Sequence, residues 1–392
     1  MKNLLSFSDL HLNPDFFCFS HLRWDFVFQR PQHLMNRFAE NSRVFFMEEY
    51  VIDDTTDPFM ELRTPAPNLC VATPHVKPGM TADEIDSCLK LFLDQLMQKY
   101  IVRDYVSWYY TPMALSWSSH LQPSVMVYDC MDELSLFKFA PVELTQREKT
   151  LMSLADIVFT GGESLYRLKR SQHPRVYAFP SSIDQEHFAK ARQPLPEPLD
   201  QQPIPYPRLG FFGVLDERLD IPLLTEMAAL RPSWHFVLTG PVVKIEKESL
   251  PQAPNIHYTG MKTYNELPAY ISNWNVALIL FALNDSTRFI SPTKTPEYLA
   301  AGKPVVSTPI HDIIATYGEK GLVHIAGDTA GFIAAIEAAL LQDRDKNWLK
   351  PVDEYLSGIS WNQTWADMVH LICQILIEKS PENKPVNLSS YV

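Results

Sequence analysis

Residues 276–309 read VALILFALNDSTRFISPTKTPEYLAAGKPVVSTP, and this stretch sets the fold class. Positions 276–281 are apolar without interruption, the pattern of a strand covered by helices on both faces. A polar loop follows, and then a short helical run in which Thr295 suits the N-cap, Pro296 the first helical position and Gly302 a left-handed C-terminal cap. Pro304 stops that helix before a second apolar run at 305–307. Strand, loop, helix and strand in succession form the repeating unit of a parallel α/β sheet. The start of a helix that follows a strand carries free backbone N–H groups and the positive end of the helix dipole. With Lys294 and the hydroxyls of Thr293 and Thr295 beside it, that start is suited to a phosphate or diphosphate.

The same alternation extends in both directions. Toward the N-terminus of this half, strands are expected at 209–212, 235–238 and 256–258, with helices at 221–230 and 266–272. Toward the C-terminus, a strand at 323–325 and helices at 329–341 and 365–377 complete it. Before it lies a segment, 192–208, in which Pro194, Pro196, Pro198, Pro203, Pro205 and Pro207 exclude a regular helix or a central strand. It reads as a linker. Upstream, strands at 16–19, 44–47, 70–72, 125–128 and 157–160 alternate with helices at 32–39, 82–99, 141–154 and 165–170, and the aromatics Trp108, Tyr109 and Tyr110 complete a further buried strand. The expectation is an α/β protein of two doubly wound domains, 1–191 and 209–364, facing a central cleft at the carboxyl ends of their strands. A terminal helix at 365–379, an option for packing back on the first domain, and a polar tail at 380–392 follow.

With 392 residues, 46% hydrophobic and 20% charged, the chain has the composition of a globular protein of two domains. Its net charge of −12 argues against binding nucleic acid through a basic face. The longest apolar run, 276–283, is far short of a membrane span, and Met1 opens no secretory signal, so a cytoplasmic protein is expected. Five scattered cysteines without a C-x-x-C pair suggest neither a disulfide framework nor a zinc site. Asp53 and Asp54 do not form a D-x-D metal motif, and no Walker motif, nucleophile elbow or G-x-G-x-x-G occurs.

Several residues carry two readings each. Glu297, in the first turn of its helix, either complements the dipole or accepts hydrogen bonds from both hydroxyls of a ribose. Gly213, between strand and helix, is either a tight turn or part of a phosphate loop. Asp129, Asp132 and Glu133 end a strand of the first domain, where clustered carboxylates can prepare a base for an acceptor hydroxyl, or serve as caps. His21, Arg23, Trp24 and Arg30 occupy the loop after the first strand, a frequent place for substrate contacts. Gly161-Gly162-Glu163-Ser164 is a cleft loop or a turn with a capping box.

The segment P-x-K-x-x-E-Y-L-A-A-G-K-P-V-V-S-T, 292–308, resembles the donor-binding segment of bacterial retaining glycosyltransferases with two Rossmann-like domains, the GT-B architecture, near family 4. Ser181-Ser182-Ile183-Asp184 with Phe188 is similar to the N-G-V-D-x-x-x-F that leads into the linker of that family, with Ser181 and Ser182 in place of Asn and Gly. Phe211-Phe212-Gly213 with Asp216-Glu217-Arg218 is similar to its first donor-side strand and phosphate loop. Trp24 with Gln29-Arg30-Pro31-Gln32 resembles a subgroup associated with cell-surface polysaccharide synthesis.

The resemblance implies a sugar transfer from a nucleoside diphosphate donor, a UDP-sugar ahead of a GDP-sugar, to a hydroxyl acceptor, with retention at the anomeric carbon and no metal or other cofactor. Gly213, Arg218, Gly260, Met261, Thr293, Lys294, Thr295 and Glu297 would bind the donor, with Lys294 and Arg218 as the paired cations on the diphosphate. His21, Trp24, Arg30 and Gly162 would lie on the acceptor side, and Asp129 or Asp132 would face the cleft as the catalytic carboxylate. Phe289 stands where the family commonly places a carboxylate eight positions before the one matching Glu297, with Asp285 a candidate to serve in its place. Partners implied are the nucleotide sugar and a glycan or lipid-linked acceptor, the latter with peripheral contact at the inner face of the membrane. A catalytically silent nucleotide-sugar or glycan-binding partner, and a nucleotide-sugar epimerase, remain the alternatives.

Overall fold

A computed structural model of the chain describes residues 4–54 and 57–380, so the expected tail lies outside it apart from Ser380. The first domain is built on strands β1 (Asp15–Phe19), β2 (Val44–Met47), β3 (Val51–Ile52), β4 (Phe59–Ala66), β5 (Leu69–Val76), β6 (Tyr105–Tyr109), β7 (Val125–Cys130), β8 (Ile157–Thr160) and β9 (Val176–Ala178). They run in the order β3-β5-β2-β1-β6-β7-β8-β9, all parallel, with β4 added antiparallel on β5. The apolar runs of β1, β2 and β7 are buried at every position, because helices cover both faces of the sheet. Hairpin strand β4 escaped the sequence reading because its residues are exposed or half-buried. Its register shifts between Arg63 and Ala66, where Pro65 has no N–H for the ladder.

The second domain repeats the plan with β10 (Arg208–Phe212), β11 (His235–Thr239), β12 (Ile256–Gly260), β13 (Val276–Ile279), β14 (Val305–Ser307) and β15 (His324–Ile325), in the order β12-β11-β10-β13-β14-β15, all parallel. Apart from the short edge strand β3, the order in each sheet reverses once, between β1 and β6 in the first and between β10 and β13 in the second. At such a switch point the connections leave to opposite faces, and a crevice opens at the carboxyl ends of the strands.

The proline-rich segment is fastened down. Arg192 donates to Asp353 at 2.6 and 2.9 Å and to the carbonyl of Ala300 at 2.6 Å, while Trp274 Nε1 donates to the buried Gln201 side chain at 2.9 Å. The last described helix, Trp361–Lys379, begins at a Ser360 cap and returns to the first domain. Its Trp361, Met368 and Ile372 join the core around Phe16, Leu34 and Trp108, and Trp361 stacks on His33 at 4.6 Å.

The helix read as starting after Thr295 instead runs Lys294–Ala300, with Thr293 already in helical conformation at its head. Thr295 is therefore not the N-cap. Its side chain faces the interior, fully buried and without a hydrogen-bond partner at Oγ1.

Candidate active site

The second domain's wall of the cleft is built where β10 ends. Phe212 N–H donates to Tyr298 Oη at 2.9 Å, which ties the strand end to the helix Lys294–Ala300. The next residue, Gly213, has φ of 139° and donates its N–H to the Thr239 carbonyl at 2.9 Å. That backbone angle strains any side chain, and a Cβ would displace the end of Lys294, standing 2.3 Å from its Cε and 2.7 Å from Nζ. The bare glycine thus lets the Lys294 ammonium reach the strand end, where it lies 5.6 and 5.7 Å from the ring centroids of Phe281 and Phe211.

Arg218 supplies the second cation. Its Nε and Nη2 donate to the Asp216 carboxylate at 2.6 to 3.0 Å, fixing the guanidinium on the loop that follows Gly213. Burial and the nearby Arg218 charge push the Lys294 ammonium down from its ordinary value. Glu297 lies one helical turn on, with Oε2 buried and unpartnered. Burial pushes its carboxyl up, against the pull of Lys294 and the Thr293 hydroxyl.

Arg218, Lys294 and Thr293 line two adjoining cavities. The larger, about 390 Å³, runs from them past Glu297, Gly213, Thr239 and Met261 to Tyr264, and the first domain closes it with residues 24–29. The smaller, about 100 Å³, leads from the same cations to Asp132, Arg30 and Ser291. Gly260 sits at the end of β12 in left-handed conformation, φ 70°, next to Met261. Two cations at a junction, an unpaired acidic acceptor along one arm and a carboxylate along the other, can hold a diphosphate with a hydroxyl-bearing group on each side.

The two aspartates of the first domain part company. Asp129 is fully buried and accepts three hydrogen bonds from Arg30, at 2.7, 3.0 and 3.1 Å, while Arg30 Nη1 donates to the Phe179 carbonyl at 2.7 Å. The expectation of Asp129 as a cleft-facing catalytic carboxylate is thereby corrected, since Arg30 holds it in a buried ion pair. Arg30 is likewise committed to that pair, with only an edge on the smaller cavity. Asp132 lies on the cavity wall, its carboxyl pushed up by burial against the opposing pull of Arg218, Lys294 and Arg30. Glu133 pairs with the buried Lys169 at 2.6 Å and has a structural role.

Trp24, expected on the acceptor side, lines the larger cavity instead, its N–H anchored on Glu48 at 2.7 Å. His21 lies half-buried between the domains, held neutral by burial and by Lys244, with its value pushed down to about 4. Gly162 does not face an open acceptor space. A Cβ there would stand 2.2 Å from Asp312 Oδ2 of the second domain, so it marks the contact between domains. Phe289 packs on the first domain's core, and Asp285 lies beside it, outside both cavities.

Three contributors went unrecognised in the sequence. Asp312 reaches across the cleft to the N–H of Ser164 at 3.1 Å. Tyr264 stacks on His187 at 4.1 Å and on Phe28 at 4.5 Å, joining both domains at the mouth of the larger cavity. Phe137 places its ring 5.4 Å from the Arg218 guanidinium carbon and 5.3 Å from Lys244 Nζ. Gly240-Pro241, directly after β11, was the one legible signal for a further wall, since a glycine–proline turn at a strand's end marks the cleft edge.

Residues 206–343, within the second domain, match the family described as glycosyl transferases group 1. The chain is 25% identical over 275 residues to the putative teichuronic acid biosynthesis glycosyltransferase TuaH of Bacillus subtilis, covering 66% of this chain and 68% of that one. Its fold is that of sucrose-phosphate synthase from Thermosynechococcus elongatus, with a TM-score of 0.71 at 14% identity over 93% of this chain and 100% of the other. Anabaena Alr3699/HepE, solved in complex with UDP and glucose, superposes with a TM-score of 0.64 at 11% identity over 92% and 100% of the two chains. The architecture is GT-B, as the sequence reading expected.

Proposed function

We propose, from the match of residues 206–343 to glycosyl transferases group 1 and the likeness to TuaH, that the protein moves a sugar from a nucleoside diphosphate, a UDP-sugar ahead of a GDP-sugar, to a hydroxyl acceptor in the assembly of a bacterial surface polysaccharide or related glycan. The observation that carries this reading is the approach of Lys294 to the bare Cα of Gly213, beside Arg218 and one helical turn before Glu297. The diphosphate lies at the junction of the two cavities, on Lys294, Arg218 and the N-terminal amides of the helix Lys294–Ala300. The nucleoside occupies the larger arm, with Glu297 accepting from the ribose hydroxyls. The transferred sugar occupies the smaller arm toward Asp132.

In this reading the two cations stabilise charge that develops on the departing diphosphate, which is the work a divalent metal does elsewhere, and no metal is required. Asp132, with its carboxyl raised, sits where it can take part in proton transfer from the acceptor hydroxyl. Reaction with retention of anomeric configuration is part of the proposal. The first domain closes the larger cavity, so donor binding and domain closure are coupled and water is excluded when both arms are filled.

Calorimetric titration with UDP, GDP, ADP and CDP, each with and without EDTA, tests the reading. Saturable binding of UDP that EDTA leaves unchanged and that Lys294→Ala abolishes is the expected result. Binding that requires a divalent cation removes the metal-independent mechanism, and no binding of any nucleotide removes the donor site.

A further inference from the structure

The second domain uses the switch point of its sheet for the site described above, and the first domain has a switch point of its own, between β1 and β6. A cavity of about 480 Å³ opens there, bounded by Phe19 and Ser20 at the end of β1, Met47 at the end of β2 and Thr111 just beyond β6. None of its lining is shared with the two cavities of the cleft. Its floor is apolar, with Trp117 set edge-on against Phe19 at 5.2 Å and Ile85 and Leu89 of the helix Ala82–Lys99 beside them.

The rim is polar and mostly acidic. Glu48 is already satisfied, by Thr73 at 2.8 Å, the N–H of Trp24 at 2.7 Å and Arg23 at 3.2 Å. That leaves Glu49, Asp86 and Glu143 on the rim against two cations, Arg147, whose Nη1 donates to the Met113 carbonyl at 2.8 Å, and Arg23, which is already paired with Glu48 and donates to the carbonyls of Glu49 and Tyr50. Asp86 is held in place by the Ser116 hydroxyl at 2.8 Å. Ionised carboxylates only accept hydrogen bonds, so an occupant has to bring donors. It also has to bring an apolar face for the floor and no negative charge, because the rim would repel it. A pyranose ring has that combination: C–H groups on one face and hydroxyl donors on its edge. Ser20 lies four residues before Trp24, which lines the larger cavity of the cleft, so the loop after β1 borders both cavities.

We infer that this cavity seats the acceptor as an uncharged or amine-bearing sugar unit, and that it discriminates against uronates and phosphorylated sugars. The inference rests on the transferase reading above and adds the charge class of the acceptor to it.

The test uses the full chain with UDP present and follows binding of four probes by ligand-observed NMR: methyl β-glucopyranoside, methyl glucosaminide, methyl glucuronide and glucose 6-phosphate. The first two should bind saturably and the last two at least about tenfold more weakly, a modest difference for like charges at contact distance. The double variant Asp86→Lys with Glu143→Lys should reverse that order. The milder pair Asp86→Asn with Glu143→Gln should level it, which keeps the test valid if the reversal disturbs folding. Preference for the glucuronide or the phosphate in the unsubstituted protein, no binding of any probe, or an order insensitive to both variants overturns the inference. UDP titration of the same samples reads the donor site separately: probes that fail while UDP binds sink this inference alone, and UDP that fails to bind sinks the transferase reading.

Discussion

Asp312 and Ser164 belong to different domains, and the N–H of Ser164 donates to Asp312 Oδ1 at 3.1 Å. The contact lies at the head of the helix Glu163–Lys169, beside Gly162, and the other carboxylate oxygen of Asp312 is buried without a partner. A carboxylate on a first-turn N–H is a charge-assisted bond, and here it holds the two halves of the cleft together. Ser181, which donates to the Ser291 carbonyl at 3.3 Å, reinforces it close by.

Replacing Gly162 by alanine should therefore open the cleft. A Cβ 2.2 Å from Asp312 Oδ2 and 2.7 Å from Ser291 Cβ has to displace both residues of the second domain. A hydrogen bond of this charged type contributes about 1.5–3 kcal/mol, so the closed population should fall about tenfold or more, raising KM for the donor. Small-angle scattering should report a larger radius of gyration. Combining Gly162→Ala with Asp312→Ala should recover part of the loss, and a strictly additive double variant would show that the two residues do not act through this contact.

The two aspartates of the first domain should give opposite phenotypes. Asp129→Ala strands the buried Arg30 and should cost about 3–5 kcal/mol of stability, seen as a lower melting temperature. Asp132→Asn should melt like the parent protein and lose turnover while still binding nucleotide. A stable, active Asp129→Ala variant would contradict the assignment of a structural ion pair.

Glu297 makes the stability of the nucleotide-free protein depend on pH. Burial raises its folded value above the ordinary 4.5, so between 4.5 and the folded value the native state holds a proton that the unfolded chain has released. Stability contributed by the protonated carboxyl is present in full below 4.5 and is lost as pH rises through that window. The slope has an upper bound of about 1.4 kcal/mol per pH unit. Glu297→Gln should remove this component and melt higher than the parent protein near neutrality, while binding nucleotide less well. Denaturant titrations of both proteins from pH 5 to 7 check it, and parallel stability curves would refute it.

Phe137 should behave as a positioning residue for Arg218 and Lys244. Its ring contacts Arg218 and Lys244 from the opposite domain, and each contact is worth about 0.5–2 kcal/mol. Phe137→Leu should weaken donor binding several-fold, with KM affected more than the melting temperature, and Phe137→Tyr should restore it. An equal loss in the Leu and Tyr variants would point to packing in place of the cation contact.

Local sequence pattern was enough for the layered α/β plan and for bringing Gly213, Lys294 and Glu297 to one cavity wall. Uninterrupted apolar runs such as Val276–Ile279 are buried on both faces whatever they pack against, and the Gly213, Lys294 and Glu297 spacing is set by a strand end and a single helical turn. The tertiary structure alone decided which members of each group face the cleft. Asp129 and Asp132 are three positions apart at one strand end, and only the arrival of Arg30, ninety-nine residues away in the chain, sends one into a buried pair and leaves the other on the cavity wall. Thr295 was legible as a cap, but the chain enters the helix already wound at Thr293, which turns that hydroxyl inward. The reach of Asp312 to Ser164 and of Phe137 to Arg218 had no local signal, because each joins residues that meet only when the two domains close.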